Sequence, residues 1–400
     1  MIDDSRSLPS GPNAPVLRAV LLTGATGSLG GRLCAELLDR TSATVYCLIR
    51  AADRPAAEGR LHDRLEREGV LAADGMERVI SVPGDLDGPG LGMSRPAYDA
   101  LADSVHEVWH CAASVNLTAD YARLAPVNVD GTRHALAFAE YAAQRAGRPV
   151  PFRFISTLGT LLAARDTGLD AVDESTTTTG ETSGPLGYPL SKATAEQELR
   201  AAGAGAPVTF FRPGVITGDW RTGRTSESDL LIPLLKAAVA LGSVPADSGA
   251  VPADTIDTVV RAIVELARTA PEPGAAFHLV RPRPLSLDDV FDAVVRAGHH
   301  LTRADPRLWW EELDDRADDP AVHPLAAMRE VTRYMLSADP DHRPPQVHSD
   351  RTWAALTQAG VSQPPLDADY LDRLIAGLIA DGTLPAPTDS DRPRRRGANR

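Results

Sequence analysis

Tyr188 and Lys192 stand four residues apart in YPLSK, and the 400-residue chain holds a single other lysine, Lys236, using arginine almost everywhere else. On a helix that spacing puts phenol and ammonium on one face. A free tyrosine ionises near ~10 and is a sluggish proton donor or acceptor at neutral pH; a nearby ammonium favours the phenolate and lowers that value. Arginine would serve a surface role equally well, so the retained lysine points to a site that needs a compact ammonium. Thr157, in FRFISTLGT, closes a predicted strand, where its hydroxyl can hydrogen-bond a carbonyl oxygen. Ser156 competes for that role and Thr160 does so more weakly. Together these groups would move a proton to or from a carbonyl oxygen; the alternative is a solvated Tyr/Lys helix pair.

Such residues must be held by a scaffold, and the first signal for one is TGATGSLGGR, residues 23–32, between an apolar run and a helical stretch. Gly24, Gly27 and Gly30 give the spacing GxxGxxG. The physical demands match those of shorter glycine fingerprints: a tight strand-to-helix turn, close backbone approach, and helix N-terminal amides facing a pyrophosphate. Gly24, Thr26, Gly27, Ser28, Leu29 and Gly30 are therefore the expected phosphate contacts. About 20 residues further on, where a ribose-reading residue belongs, the strand TVYCLI ends at Arg50. A guanidinium there suits a 2′-phosphate and so NADPH, with Arg60 as a second contact. Asp53, three residues on, keeps the NAD reading open. Asp85 and Leu86, in GDL after the third strand, are placed to meet the adenine, though Asp85 reads equally well as a turn aspartate.

Apolar β-rich runs near 17–22, 44–49, 79–82, 105–110, 151–156, 208–211 and 276–280 alternate with helical patterns near 29–39, 56–68, 94–102, 129–146, 188–202 and 254–269. This alternation predicts an α/β class protein, a Rossmann-like doubly wound parallel sheet. The expected organisation is an N-terminal tail at 1–14, a dinucleotide-binding domain at 15–284, and a smaller, mostly helical C-terminal substrate lobe at 285–385. The irregular stretch 217–253 should join that lobe, and a basic tail occupies 386–400.

Residues 106–110 spell HEVWH, a match to the HExxH zinc signature, which requires a helix. Here the run is a predicted strand, whose four steps separate the imidazoles by ~13 Å, so no metal is expected. The net charge of −13 disfavours nucleic acid as a partner. No apolar run reaches bilayer length and no leader is visible, which predicts a cytoplasmic protein without membrane contact. Cys34, Cys47 and Cys111 lack paired spacing and read as core residues. Trp309 and Trp310 read as packing rather than channel lining.

TGATGSLG, YxxxK and the strand-end Ser-Thr resemble the extended short-chain dehydrogenase/reductase superfamily. VYCLIRA, HCAASVN, NVDGT, FISTL, GYPLSK and FRPGVITGDWRTG more narrowly resemble the thioester reductases, the terminal reductase domains of nonribosomal peptide synthetases and carboxylic acid reductases. The match runs in order from about 19 to 290 and is loose in the C-terminal lobe. The resemblance implies NADPH-dependent reduction of an acyl or peptidyl thioester on a phosphopantetheine arm, releasing an aldehyde, or an alcohol after a second reduction. It implies Thr157, Tyr188 and Lys192 as catalytic residues, with Ala112, Ala113, Pro213 and Val215 lining the cofactor. The sequence has no G-x-D-S-L attachment site, so its acyl group is expected from a separate carrier protein or coenzyme A. It departs from the family at Ala193, where an aromatic is usual, and in LGTLLAAR after FISTL. The tail RPRRRGANR can dock an acidic carrier or simply be solvated. Two other classes stay open: an extended short-chain enzyme acting on a nucleotide-sugar or hydroxysteroid-like alcohol, and a non-catalytic NADPH-binding regulator.

Overall fold

The computed structural model describes residues 17–69, 75–202, 205–226, 229–269, 271–329, 332 and 344–387. The tail expected at 1–14, and all of the one expected at 386–400 except its first two residues, lie outside these residues. The described residues form a seven-stranded sheet of β1 (Ala19–Thr23), β2 (Thr44–Ile49), β3 (Val79–Pro83), β4 (Glu107–His110), β5 (Phe152–Ile155), β6 (Val208–Pro213) and β7 (Ala276–Leu279). Its order is β7-β6-β5-β4-β1-β2-β3, and every neighbouring pair is parallel. This is the expected doubly wound α/β architecture. β1, β5, β6 and β7 are buried along their whole length, as strands covered by helices on both faces must be. The strand order reverses between β1 and β4, so a crevice opens beyond their carboxyl ends, where ligands bind in open α/β sheets.

Helices α1 (Ser28–Arg40), α2 (Arg54–Arg67), α3 (Arg95–Ser104), α4 (Gly131–Ala146) and α5 (Gly187–Arg200) connect the strands. One core, with Leu33, Leu37, Ile263 and Phe277, lies on the α1 face of the sheet; the other, with Phe138, Phe152, Phe154 and Leu199, lies under α4 and α5.

Residues 217–253 read as irregular, yet they contain α6 (Leu231–Leu241). Leu231, Ile232, Leu234, Leu235, Ala237 and Ala238 are all buried, and a helix buried on most sides lacks the amphipathic period that marks a surface helix. The next helix, α7 (Ile256–Arg268), packs on α1. Beyond it, α8 (Leu287–Arg296) and α9 (Pro306–Asp315) build a third core with α6. Trp309 is buried there, its indole N–H donating to the Ser243 carbonyl at 3.0 Å and its ring meeting Trp310 edge-on. The chain then returns to the sheet. Gln346–Val347 pairs with Ala171–Val172, and α10 (Asp350–Gln358) carries Leu356 into the α1-side core, so part of the 285–385 stretch packs against the larger layer. α11 (Ala368–Ala380) goes back to the C-terminal core through Tyr370, Leu374 and Ile375. Among the described residues no helix is long and apolar enough to cross a membrane.

Candidate active site

A cleft of about 1350 Å³ runs along the carboxyl ends of the strands. At its floor β1 delivers Gly24 with φ +78°, a conformation L side chains rarely adopt, and a Cβ there would lie 2.6 Å from the Ala112 amide nitrogen. A Cβ on Gly30 would lie 2.1 Å from the Gly24 carbonyl oxygen, whereas one on Gly27 meets only that oxygen, at 3.3 Å. Two glycines are thus dictated by backbone packing and the third leaves room above the turn. Gly27 caps α1 without any side-chain hydrogen bond, leaving first-turn amides of Ser28, Leu29 and Gly30 as donors with no intrahelical partner. Such a helix end attracts an anion, and a cradle a Cβ would fill beside it fits a dinucleotide's pyrophosphate.

The floor is locked by buried polar bonds. The Thr132 hydroxyl donates to the Asn128 carbonyl at 2.7 Å, so it accepts the His110 Nε2 proton at 3.0 Å. Thr23 Oγ1 then donates to His110 Nδ1 at 2.9 Å and accepts the Ala112 amide at 3.1 Å. Burial, helped by the Lys192 charge, pushes the His110 imidazole down to about 3, so it is neutral. His106 precedes β4 and bonds the Ser104 carbonyl. The two histidines of HEVWH therefore serve different places.

At the far end of the cleft, Arg50 follows β2 exposed, and the Arg60 guanidinium donates to its carbonyl; both side chains line the cleft. Asp53 instead caps α2, accepting the Ala56 amide at 2.9 Å, and is not part of the lining. Asp85 and Leu86 line the wall, the Asp85 carboxylate accepting the Asp87 amide at 3.1 Å. Ala112, Ala113, Pro213 and Val215 border the middle of the cleft. Cys34 and Cys47 are buried with their sulfurs 4.0 Å apart; Cys111, read as a core residue, borders the cleft, because β4 ends before it.

β5 and α5 bring the candidate catalytic groups together. Thr157, half-buried, lines the cleft and accepts the Gly159 amide at 3.1 Å, a bond that does not use its own hydroxyl proton. Its competitors are committed elsewhere: Ser156 donates to Glu196, and the buried Thr160 hydroxyl donates to the Thr157 carbonyl at 2.9 Å. Tyr188 lines the cleft beside Pro189, while Lys192 is 1% exposed beneath it. The Lys192 ammonium donates to the Ile155 carbonyl at 2.6 Å and sits 4.0 Å from the centre of the Phe154 ring. Burial lowers it to about 8. The Tyr188 phenol departs from expectation. Burial, with a smaller contribution from Cys111, pushes it well above the usual tyrosine value, because the ammonium is aimed at a carbonyl and desolvation of the phenolate dominates.

The sequence family described as Male sterility protein, an NAD-binding domain, matches residues 22–263. The chain belongs to that family. It is an extended short-chain dehydrogenase/reductase, an oxidoreductase of the type built as terminal reductase domains of nonribosomal peptide synthetases. It is 33% identical over 378 residues to an isonitrile lipopeptide synthase of Streptomyces coeruleorubidus, covering 92% of this chain and 25% of that protein. With a linear gramicidin synthase of Brevibacillus parabrevis it shares 31% identity over 92% of this chain and 7% of that one. The chain thus spans a quarter or less of these relatives. Among solved structures, the terminal R domain of the myxalamid PKS-NRPS pathway matches with a TM-score of 0.83 and 31% identity over 97% of both chains. A thiolation-reductase di-domain from an archaeal nonribosomal peptide synthetase matches with a TM-score of 0.74 and 25% identity, covering 92% of this chain and 76% of that one.

In this reductase-family chain the sequence reading missed the groups that hold the candidate residues in place. Glu196 lies one turn beyond Lys192, fully buried, and takes the Arg212 guanidinium in two bonds of 3.0 and 2.7 Å. Burial resists ionisation of Glu196, but Arg212, with Ser156 and Thr178 donating, holds its carboxyl below the ordinary range. The one available signal was the repeat 188, 192, 196, three residues on one helix face. Asn128, in NVDGT, accepts the Ser114 amide at 2.7 Å and donates to Ser191 Oγ at 2.9 Å, tying the wall above β4 to α5. Arg32 and Arg64 also line the cleft, Arg32 pairing with Asp219 and Arg64 donating to the Thr26 carbonyl at 2.8 Å.

Proposed function

We propose that the chain catalyses NADPH-dependent reductive release of an acyl or peptidyl thioester carried on the phosphopantetheine of a carrier protein or on coenzyme A, giving an aldehyde. One observation carries this reading: the Thr157 hydroxyl and the Tyr188 phenol border the same cleft as the glycine cradle, with the Lys192 ammonium buried beneath. NADPH is favoured over NADH because Arg50 and Arg60 border the ribose end while Asp53 is spent on capping α2. A carrier as donor is supported by the likeness to a thiolation-reductase di-domain. The match to the myxalamid terminal R domain over 97% of both chains supports the reaction class.

When bound, NADPH supplies a hydride to the thioester carbonyl carbon. Thr157 donates its free hydroxyl proton to the carbonyl oxygen and so favours the negative charge that develops there. Tyr188 hands that oxygen a proton. Its raised value keeps the phenol protonated at neutral pH, so it enters the reaction as an acid. Lys192, at about 8, is mostly charged at pH 7; its ammonium rests on the Ile155 carbonyl and would have to turn from it to favour the tyrosinate left behind. The carbon–sulfur bond then breaks as the oxygen gives up its proton and re-forms a carbonyl; the leaving thiolate takes up that proton, and the tyrosinate is reprotonated from solvent.

NADPH oxidation measured with acyl groups on coenzyme A and on a phosphopantetheinylated carrier protein, with the products trapped, tests this reading. Aldehyde from the wild type and its loss in Tyr188→Phe is expected. Turnover of NADP⁺ with alcohols, and none with thioesters, would transfer the site to the alcohol-oxidising class.

A further inference from the structure

Charge is partitioned along the cleft. The six arginines among its described lining residues, Arg32, Arg50, Arg60, Arg64, Arg67 and Arg224, gather at the dinucleotide end. The last belongs there because its guanidinium donates to the Arg67 carbonyl at 2.7 Å. Around Tyr188 the pattern reverses. Between Cys111 and Thr217 the described lining carries no ionisable Asp, Glu, His, Lys or Arg side chain. The lining includes the apolar side chains of Val115, Leu117, Leu158, Leu162, Pro345 and Val347, and the turn 158–161 packs on α5, the helix that carries Tyr188. Val115 is 58% exposed, one of few large apolar side chains left open to this degree. Leu158 packs with Leu161, Val172, Val280 and Val347 in a small apolar cluster, so this wall is braced from behind. Of the carboxylates elsewhere in the lining, Asp229 accepts the Leu231 amide and the Thr225 hydroxyl, and Asp381 accepts the Thr383 amide.

Resting on the thioester reading, we infer that the substrate is an acyl chain whose first stretch beyond the carbonyl is uncharged and apolar, and that chains ending in a carboxylate or ammonium are rejected. Bringing a charge against this wall removes it from water with no described counter-charge to receive it, whereas methylene groups gain by leaving water. An exposed valine and leucines beside a reactive carbonyl are what such a chain would cover.

The test uses S-alkyl pantetheines, thioethers that cannot be reduced, binding to the NADPH-saturated protein and read by calorimetry. The S-octyl compound is expected to bind at least tenfold tighter than the S-(7-carboxyheptyl) and S-(8-aminooctyl) compounds. Leu162→Arg, and independently Val115→Arg at the exposed position, should bring the carboxylate-ended compound to within threefold of the octyl one. Equal binding of charged and uncharged chains by the wild type, or no binding of the octyl compound, overturns the inference. Octanoyl pantetheine offered to the same protein separates this from the reaction class. Octyl binding without aldehyde from the octanoyl thioester defeats the proposed reaction and leaves the chain preference standing.

Discussion

The two ends of the cleft are built on different principles. At the dinucleotide end, the fit is made by backbone against backbone: Gly24 and Gly30 admit no Cβ because the Ala112 amide and the Gly24 carbonyl already fill that space. Around it stand arginines that suit any phosphate. Toward α5 and Tyr188 the lining is carried largely by apolar side chains, with Leu158 after β5 and Val347 meeting in one cluster though distant in sequence. The first kind of site tolerates almost no substitution and serves one ligand class; the second can be retuned residue by residue. Within one cleft, the part common to a superfamily and the part proper to one substrate are thus separated by kind of contact.

Several experiments would break or sharpen that contrast. Largest is Tyr188→Phe: with the general acid gone, kcat/KM on thioester should fall by about 10²–10⁴, while calorimetry should find NADPH affinity within twofold of wild type. Undiminished reduction would remove Tyr188 from the chemistry. Next, Arg212→Met leaves Glu196 buried without its bidentate partner, with only the longer 3.8 Å pairing to Arg200 remaining. Denaturant unfolding should record a loss of about 3–5 kcal/mol, against little change for the exposed pair Arg54–Glu58. Gly30→Ala forces a Cβ against the Gly24 carbonyl, and about 1–3 kcal/mol of overpacking should weaken NADPH binding by one or two orders of magnitude. Arg50→Ala should cost NADPH about tenfold in affinity while sparing NADH, as expected for one lost charge-assisted contact; an equal loss for both would place the guanidinium away from the 2′-phosphate.

A pH-dependent effect comes from the clamp beneath the glycine turn. The His110 imidazole sits at about 3 in the fold and near ~6.5 unfolded. Its folded value is depressed, so its contribution is fully present above ~6.5 and is lost as pH falls from there toward about 3, at up to ~1.4 kcal/mol per unit. Thermal melts of wild type and His110→Gln between pH 7 and 4 should show a shallower decline in the variant. Identical slopes would mean that His110 is not held neutral.

Much of the larger layer was legible because parallel strands buried on both faces read as short apolar runs, AVLLT and VTFFRP among them. The glycine turn was legible because its steric demand can be met by one residue type only. What escaped was whatever depends on long-range partners. Glu196 reads as an ordinary helix glutamate until Arg212 is seen opposite, and Arg32 reads as a solvated charge until Asp219, 187 residues away, comes to meet it. The choice of Thr157 over Ser156 turned on where one hydroxyl points, which spacing does not encode. The C-terminal lobe was faint because its ladders are two or three residues long, too short to display a period, and α6 is too fully buried to look amphipathic.

The central claim is that one cleft joins an NADPH end to a thioester end through Tyr188. Its most direct test is to run the reaction with NADPH carrying deuterium at the transferable C4 position and an octanoyl thioester, analysing the trapped product by mass spectrometry. One deuterium on the aldehyde carbon, absent with Tyr188→Phe, is the predicted result. Intact thioester beside bound NADPH, or oxidised cofactor with no deuterium in the product, would contradict it.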